Sequence, residues 1–212
     1  MTYTSTKDLW MKILDWGYNR ALLGGTGIDK ASVLASRYNK PDRTIDQQVD
    51  ALIRWQRILA GSSGFITGLG GFISLPVAIP ANLASVVFIQ LRMIAAIAHL
   101  GGYDLEDKKV KSLIFACMAG NVAKDILQEA GIRIGTRITY RLVENISERS
   151  LLTINQKVGF ALVAKSGSKG FINISKAVPL AGGIIGGSID VISTGLIGRI
   201  ARRTFIDVAP VD

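Results

Sequence analysis

ILAGSSGFITGLGGFISLPVAIPANLASVVFIQL, residues 58–91, is a run of 34 consecutive positions without a charged side chain. A bilayer core takes about 20 apolar residues in helix, so the run is long enough for one span or a tight hairpin. It is also interrupted. Pro76 and Pro80 cannot sit inside a regular helix, and Gly61, Gly64, Gly68, Gly70 and Gly71 weaken its first half. These breaks divide it into two segments, about 60–75 and 77–100, joined at the proline pair. Two readings stand at this point: the central hairpin of a soluble helical protein, wrapped by charged helices, or a segment that enters a membrane.

Outward from this run the chain is charged and basic. Over 212 residues, Lys and Arg number 25 and Asp and Glu 16, for a net charge of +9. Residues 1–57 carry +3 and residues 150–212 carry +4. Charged residues make up 19% and apolar residues 49%, which excludes a disordered chain. One cysteine, Cys117, excludes a disulfide framework and a zinc ribbon, and one histidine, His99, excludes HExxH chemistry. Lys7, Asp8, Lys12, Asp15 and Arg20 are spread where a secretory signal would hold an unbroken apolar stretch, so a cytoplasmic product is expected.

Helical periodicity dominates. Leu9, Trp10, Ile13 and Leu14 predict a helix from Thr6 to about Arg20. Asp29 is placed to cap a short helix ending near Tyr38. Thr44 and Gln47 form a T-x-x-Q capping box opening a helix through the apolar Val49, Leu52, Ile53, Trp55 and Ile58, with Asp46, Asp50, Arg54 and Arg57 on its polar face. Gly101 and Gly102 stop the central helix, Asp104 or Asp107 starts another over about 105–130, and further helices are expected over about 132–145, 148–165 and 176–205. Alternating β-branched stretches are missing. The expectation is an all-α, multi-helix single domain over 1–212. It comprises amphipathic helices over 1–57, a glycine-rich apolar hairpin over 58–103 and basic helices over 104–212.

Ser85, Arg92, His99 and Tyr103 follow at spacings of 7, 7 and 4. At about 100° per residue they fall on one narrow stripe, provided the helix continues past the glycine pair to Tyr103. An arginine in such apolar surroundings needs a partner. Asp190, the only acid between Glu148 and Asp207, is the expected one. Gly182/Gly186 and Gly183/Gly187 make a small-x-x-x-small ridge, expected to pack on the Gly64–Gly71 segment. Arg133, Arg137, Arg141, Arg199, Arg202 and Arg203 are candidate contacts for anionic lipid headgroups, against the plainer alternative of a solvated surface. No nucleic-acid motif is present, so no nucleic-acid partner is expected. Ser166 and Lys169 match S-x-x-K without its companion motifs, and Cys117 with His99 makes only a weak nucleophile pair. No motif calls for a cofactor or a metal.

SSGFITGLGGFISLPVAIPANLASVVFIQLRMIAAIAHLGGYDLED, followed by GNVAKDILQEAGIRIGTR, INQKVGF and VPLAGGIIGGSIDVISTGLIGRIA, resembles the EcsC family of bacterial proteins over about residues 45–205. The family is named for a product encoded beside an ABC transporter in an operon connected with secretion and competence. The resemblance implies a bacterial helical protein, cytoplasmic or peripheral to the membrane, and brings no catalytic assignment. Arg92, Tyr103, Asp104, Asn121 and Asp190 are the polar positions it singles out, with Lys124 and Asp125 next.

Three functions follow. The first is a membrane-associated, non-enzymatic accessory protein whose partners are anionic lipids or a membrane protein. It would sit in the bacterial cytoplasm, peripheral to or partly inserted in the inner membrane, with self-association left open. The second is a membrane-perturbing effector, or the partner that neutralises one. The third is a lipid or small-ligand binder, or an enzyme, using the Arg92–His99–Tyr103 line.

Overall fold

The computed structural model describes residues 6–25, 27–62, 81–132, 138–166 and 182–207. Among these the chain forms nine α-helices and no strand. They are α1 (Thr6–Leu23), α2 (Ala31–Tyr38), α3 (Ile45–Gly61), α4 (Ala81–Leu100), α5 (Lys108–Met118), α6 (Ala123–Glu129), α7 (Tyr140–Glu144), α8 (Glu148–Ser166) and α9 (Gly182–Phe205). The all-α expectation holds. The first arm of the expected hairpin and its proline joint, the S-x-x-K turn, and Arg133 and Arg137 fall largely or wholly outside the described residues.

Local chemistry sets the helix ends. The capping box forms: Thr44 Oγ1 accepts from the Gln47 amide at 3.3 Å, and Gln47 Oε1 accepts from the Thr44 amide at 3.1 Å, a motif that contributes about 1 kcal/mol. Asp107, rather than Asp104, caps α5 by accepting from the Lys109 amide at 2.8 Å. Asp29 does not cap α2. Lys30 occupies that position without a side-chain cap, and Asp29 instead pairs with Arg37 at 2.5 Å. The helix expected over 105–130 is broken, because Gly120 at φ +70° turns the chain into a short 3₁₀ segment between α5 and α6. At the end of α4, Gly102 takes φ +85° and the Tyr103 amide reaches back to the Ala98 carbonyl, the six-to-one bond of a glycine helix stop.

The apolar helix is the hub. α1, α2, α3, α5 and α9 all pack on α4, and Leu91, Met93, Ile94, Ala95, Ala96, Ile97 and Ala98 are fully buried. Residues 83–100 form the one helix among those described that is long and apolar enough to cross a membrane, and 83% of that stretch is buried inside the protein. α3 and α9 run antiparallel beside it. A Cβ on Gly198 would stand 2.9 Å from Ile53 side-chain carbons, so the close approach of these two helices requires glycine there. Near the other end Arg202 gathers three carboxylates, at 3.0 Å from Asp46, 2.6 Å from Asp50 and 2.9 Å from Asp207. The Gly64–Gly71 segment, expected to meet the glycine ridge of α9, lies outside the described residues. Gly195 and Gly198 make the observed close contacts, both against α3.

The chain beyond α4 is tied by aromatic side chains. Tyr103 is buried, donates its hydroxyl to the Ile138 carbonyl, and packs against Tyr140 and Phe205 at centroid distances of 4.8 and 5.1 Å. Tyr140 donates to the Gly101 carbonyl at 2.8 Å, and the Ile138 amide to the Thr204 carbonyl at 2.9 Å. The ends of α4 and α9 and the start of α7 are thereby locked together.

Candidate functional site

α1, the start of α2 and the α4–α5 connection enclose a cleft of about 750 Å³. Tyr18 and Leu22, one turn apart on α1, form one wall. Lys30, His99, Asp104 and Lys111 bring charge and polarity to it, and Tyr103 lies at its edge. Tyr18 donates to the Leu105 carbonyl. Burial, and then the carboxylates of Asp104 and Asp107, push its ionisation far above the ordinary phenol range, so it stays a neutral donor. Lys111 pairs with Asp15 at 2.7 Å and lies 5.5 Å from the ring centres of both Tyr18 and Phe115. Asp104 Oδ1 accepts from the Glu106 amide at 2.9 Å. The cleft thus sets charges of both signs beside Leu22 and Leu23, with Tyr18 and Tyr103 buried behind them, and its sole histidine is exposed.

The stripe expected along α4 divides into two places. α4 ends at Leu100, so Tyr103 does not continue it. His99 and Tyr103 nevertheless meet at the cleft, because the glycine turn folds Tyr103 back. Ser85 and Arg92 are buried further along the helix. Arg92 is 7% exposed and lies over the Phe88 ring at 5.2 Å. Burial lowers its pKa. Asp29 opposes that shift, and Arg37 and Tyr38 also act on it, which places the guanidinium beside α2. Its Nε has no hydrogen-bond partner among the described residues.

The expected Arg92–Asp190 pair does not form. α9 meets α4 through Gln90, whose amide donates to Ser193 at 3.2 Å and to Thr194 at 3.1 Å. Gln90 lies two residues, or about 200°, around α4 from Arg92. Asp190 makes no ion pair among the described residues, and burial raises its pKa. A contact with a neighbouring helix could be foreseen from the sequence, but not which of five neighbours supplies it.

Cys117 is fully buried and bonded to Thr204 at 3.7 Å, and burial pushes its thiol up to about 12. His99 is exposed at the far end of α4, so the two make no nucleophile pair. Among the described residues no group of His, Cys, Asp and Glu is set to hold a metal. Asn121, Lys124 and Asp125 are exposed.

The basic candidates also separate. Arg141, Arg199 and Arg203 are exposed and make no ion pair among the described residues. Arg202 does not belong with them, because its guanidinium is engaged by Asp46, Asp50 and Asp207. Sequence reading missed Tyr18 and Lys111 in the cleft and the exposed Ile189 and Ile192, and it grouped Trp55 and Ile58 with the apolar side of α3, where the structure leaves both exposed because α4 and α9 cover other sides of that helix. A helical wheel of α9 carries a signal for Ile189 and Ile192: they share an arc with Arg199 and Arg203.

A multi-helix domain with a buried apolar hub, a glycine helix stop and a basic last helix is the class this geometry defines. The model of the EcsC protein family matches residues 19–206, and the chain belongs to that family. No curated protein and no solved structure matches it.

Proposed function

We propose that this EcsC-family protein is a non-enzymatic accessory protein that works at an anionic membrane surface, on the cytoplasmic side of the bacterial inner membrane, in secretion or envelope processes. The observation that supports this reading is the pair of exposed arginines on the last helix, Arg199 and Arg203, that find no carboxylate among the described residues, in a chain of net charge +9. Each such side chain near an anionic surface contributes about 1 kcal/mol. Because α4 spends its apolar surface inside the fold, the described part of the protein favours peripheral contact over spanning. The test is co-sedimentation with vesicles. Binding to phosphatidylglycerol-containing vesicles, little binding to phosphatidylcholine, and release by high salt are expected. No binding to anionic vesicles at low salt overturns the proposal. Dye release from loaded vesicles distinguishes it from a membrane-perturbing effector, which would empty them.

A second reading, a lipid or small-ligand binder, draws on the cleft at Leu22, His99 and Lys111, where aliphatic surface adjoins charge. Lipid extraction followed by native mass spectrometry tests it. A stoichiometric co-purified molecule, lost on His99→Ala with Lys111→Ala and with the fold retained, supports it.

A further inference from the structure

We infer that the outer face of the α3–α9 pair is the surface that meets the bilayer, with Arg54, Arg199 and Arg203 on headgroup phosphates and Ile58, Ile189 and Ile192 entering the headgroup layer. The inference rests on the membrane reading above and goes further, assigning the contact to one face.

The placement follows from the packing. Ile53 faces Gly198, Arg57 faces Gly195 and donates to the Val191 carbonyl, and Asp46 and Asp50 reach Arg202. The helices are therefore antiparallel, with Arg54 level with residues 196–197 and Ile58 level with Ile192. Both helices turn their other flank to α4, through Leu52 and Gln56 on α3 and through Thr194 and Ala201 on α9, all buried. The side away from α4 carries exposed side chains. On α9 it carries Ile189, Ile192, Arg199 and Arg203 within an arc of about 80°. On α3 it carries Arg54 and Ile58, about 40° apart. All six are exposed, the isoleucines at 55% for Ile58, 60% for Ile189 and 67% for Ile192.

Charge complementarity names the occupant. The three arginines make no ion pair among the described residues, and Asp46, Asp50 and Asp207 are already held by Arg202. Asp190 is about 200° around α9 from Ile192 and so lies off this face. The result is a surface with free cations at one end and three aliphatic side chains at the other. It offers cations to anionic headgroups and, further along the same face, aliphatic side chains to the layer beneath them. The apolar end is also where α3 finishes and α9 begins. Trp55 is also exposed, about 60° around α3 from Ile58 and about 100° from Arg54, at the border of this face.

The test uses the full chain and vesicles of phosphatidylglycerol and phosphatidylethanolamine. Three charge reversals together, Arg54→Glu, Arg199→Glu and Arg203→Glu, are expected to weaken binding at least about 100-fold. The pair Arg141→Glu and Arg149→Glu, on helices outside this face, is expected to weaken it only through net charge and by far less. A polarity-sensitive fluorophore on Ile192→Cys, in a Cys117→Ser background, is expected to shift to the blue on vesicle addition, and the same label on Arg141→Cys to stay unchanged. If the triple reversal fails to fold, Arg199→Gln with Arg203→Gln and the Ile192 label carry the test. Wild-type protein that ignores anionic vesicles refutes the membrane reading itself. Wild-type protein that binds, with affinity indifferent to the three arginines and a silent label at residue 192, refutes this face alone.

Discussion

Replacing Gly101 by alanine puts the packing at the end of α4 to a direct test. A Cβ there would stand 2.7 Å from the Phe205 carbonyl oxygen, 3.2 Å from the Ala98 carbonyl oxygen and 3.1 Å from Tyr103 Cε2. Carbon and oxygen ordinarily approach no closer than about 3.3 Å, so the methyl overlaps the end of α9 by about 0.6 Å. The obstacle is backbone and cannot rotate away. For α9 to give ground it must disturb the Ile138–Thr204 hydrogen bond at 2.9 Å and the Tyr103–Phe205 ring contact at 5.1 Å. Overpacking of this kind costs about 2–3 kcal/mol. At about 2–4 °C per kcal/mol for a chain of this size, the midpoint should fall by about 4–12 °C. Gly131→Ala is the matched control. It has φ +81° but nothing within 4 Å of the new methyl, so it bears only the left-handed backbone penalty of about 1 kcal/mol. Thermal melts by circular dichroism, with urea titrations of the same variants, measure both. A midpoint for Gly101→Ala within about 1 °C of wild type, or a milder effect than that of Gly131→Ala, refutes the reasoning.

Three further outcomes follow from the same contacts. Cys117, at a pKa of about 12, holds about one part in ten thousand as thiolate at pH 8. Native protein should therefore resist iodoacetamide until denaturant opens the fold, and prompt native labelling would contradict its burial. Burial raises the pKa of Asp190 in the folded state. Its stabilising contribution is then full below the ordinary carboxylate value of about 3.9 and is lost as pH rises through the folded value. Asp190→Asn should accordingly melt higher than wild type at pH 7, with the gain vanishing in acid; an equal or lower midpoint at pH 7 would count against it. Arg202→Met removes three part-exposed ion pairs worth about 0.2–1 kcal/mol each. A loss of about 1–2 kcal/mol by urea titration is expected, and no loss would mean the cluster is idle.

What could be read from the sequence was local. The Thr44–Gln47 box, the glycine stop at Gly102 and the Asp107 cap each depend on residues within a few positions, and each formed as expected. Failures arose where a residue answers to distant neighbours. Asp29 has the chemistry of a cap, but Arg37 two turns on competes for it. Arg202 looks like its neighbours Arg199 and Arg203 in sequence. Only the antiparallel register with α3 brings Asp46 and Asp50 to it. The long helix expected over 105–130 failed at Gly120, since nothing in the apolar pattern marks a glycine that must turn left-handed. In the polar line, the spacing of His99 and Tyr103 correctly grouped two cleft residues for the wrong reason: a turn, not a continuing helix, brings Tyr103 there.

An uncharged, strongly apolar helix satisfies the same count whether it crosses a bilayer or forms the hub of a bundle, and its polar residues distinguish the two. A lipid-facing helix places polar groups on a single protected side. On α4 they point in different directions, and each has its own surroundings. Gln90 hydrogen-bonds α9, while Arg92, about 200° away, sits beside Asp29 and α2. Residues between those directions, such as Leu91 and Ile94, are fully buried. The helix is therefore contacted by protein all round, and moving it into lipid would strip the Gln90 bonds and leave Arg92 without the carboxylate that offsets its burial. The proposed membrane contact therefore falls on surfaces the bundle leaves open. That turns attention from the most apolar segment described to the outer side of α3 and α9.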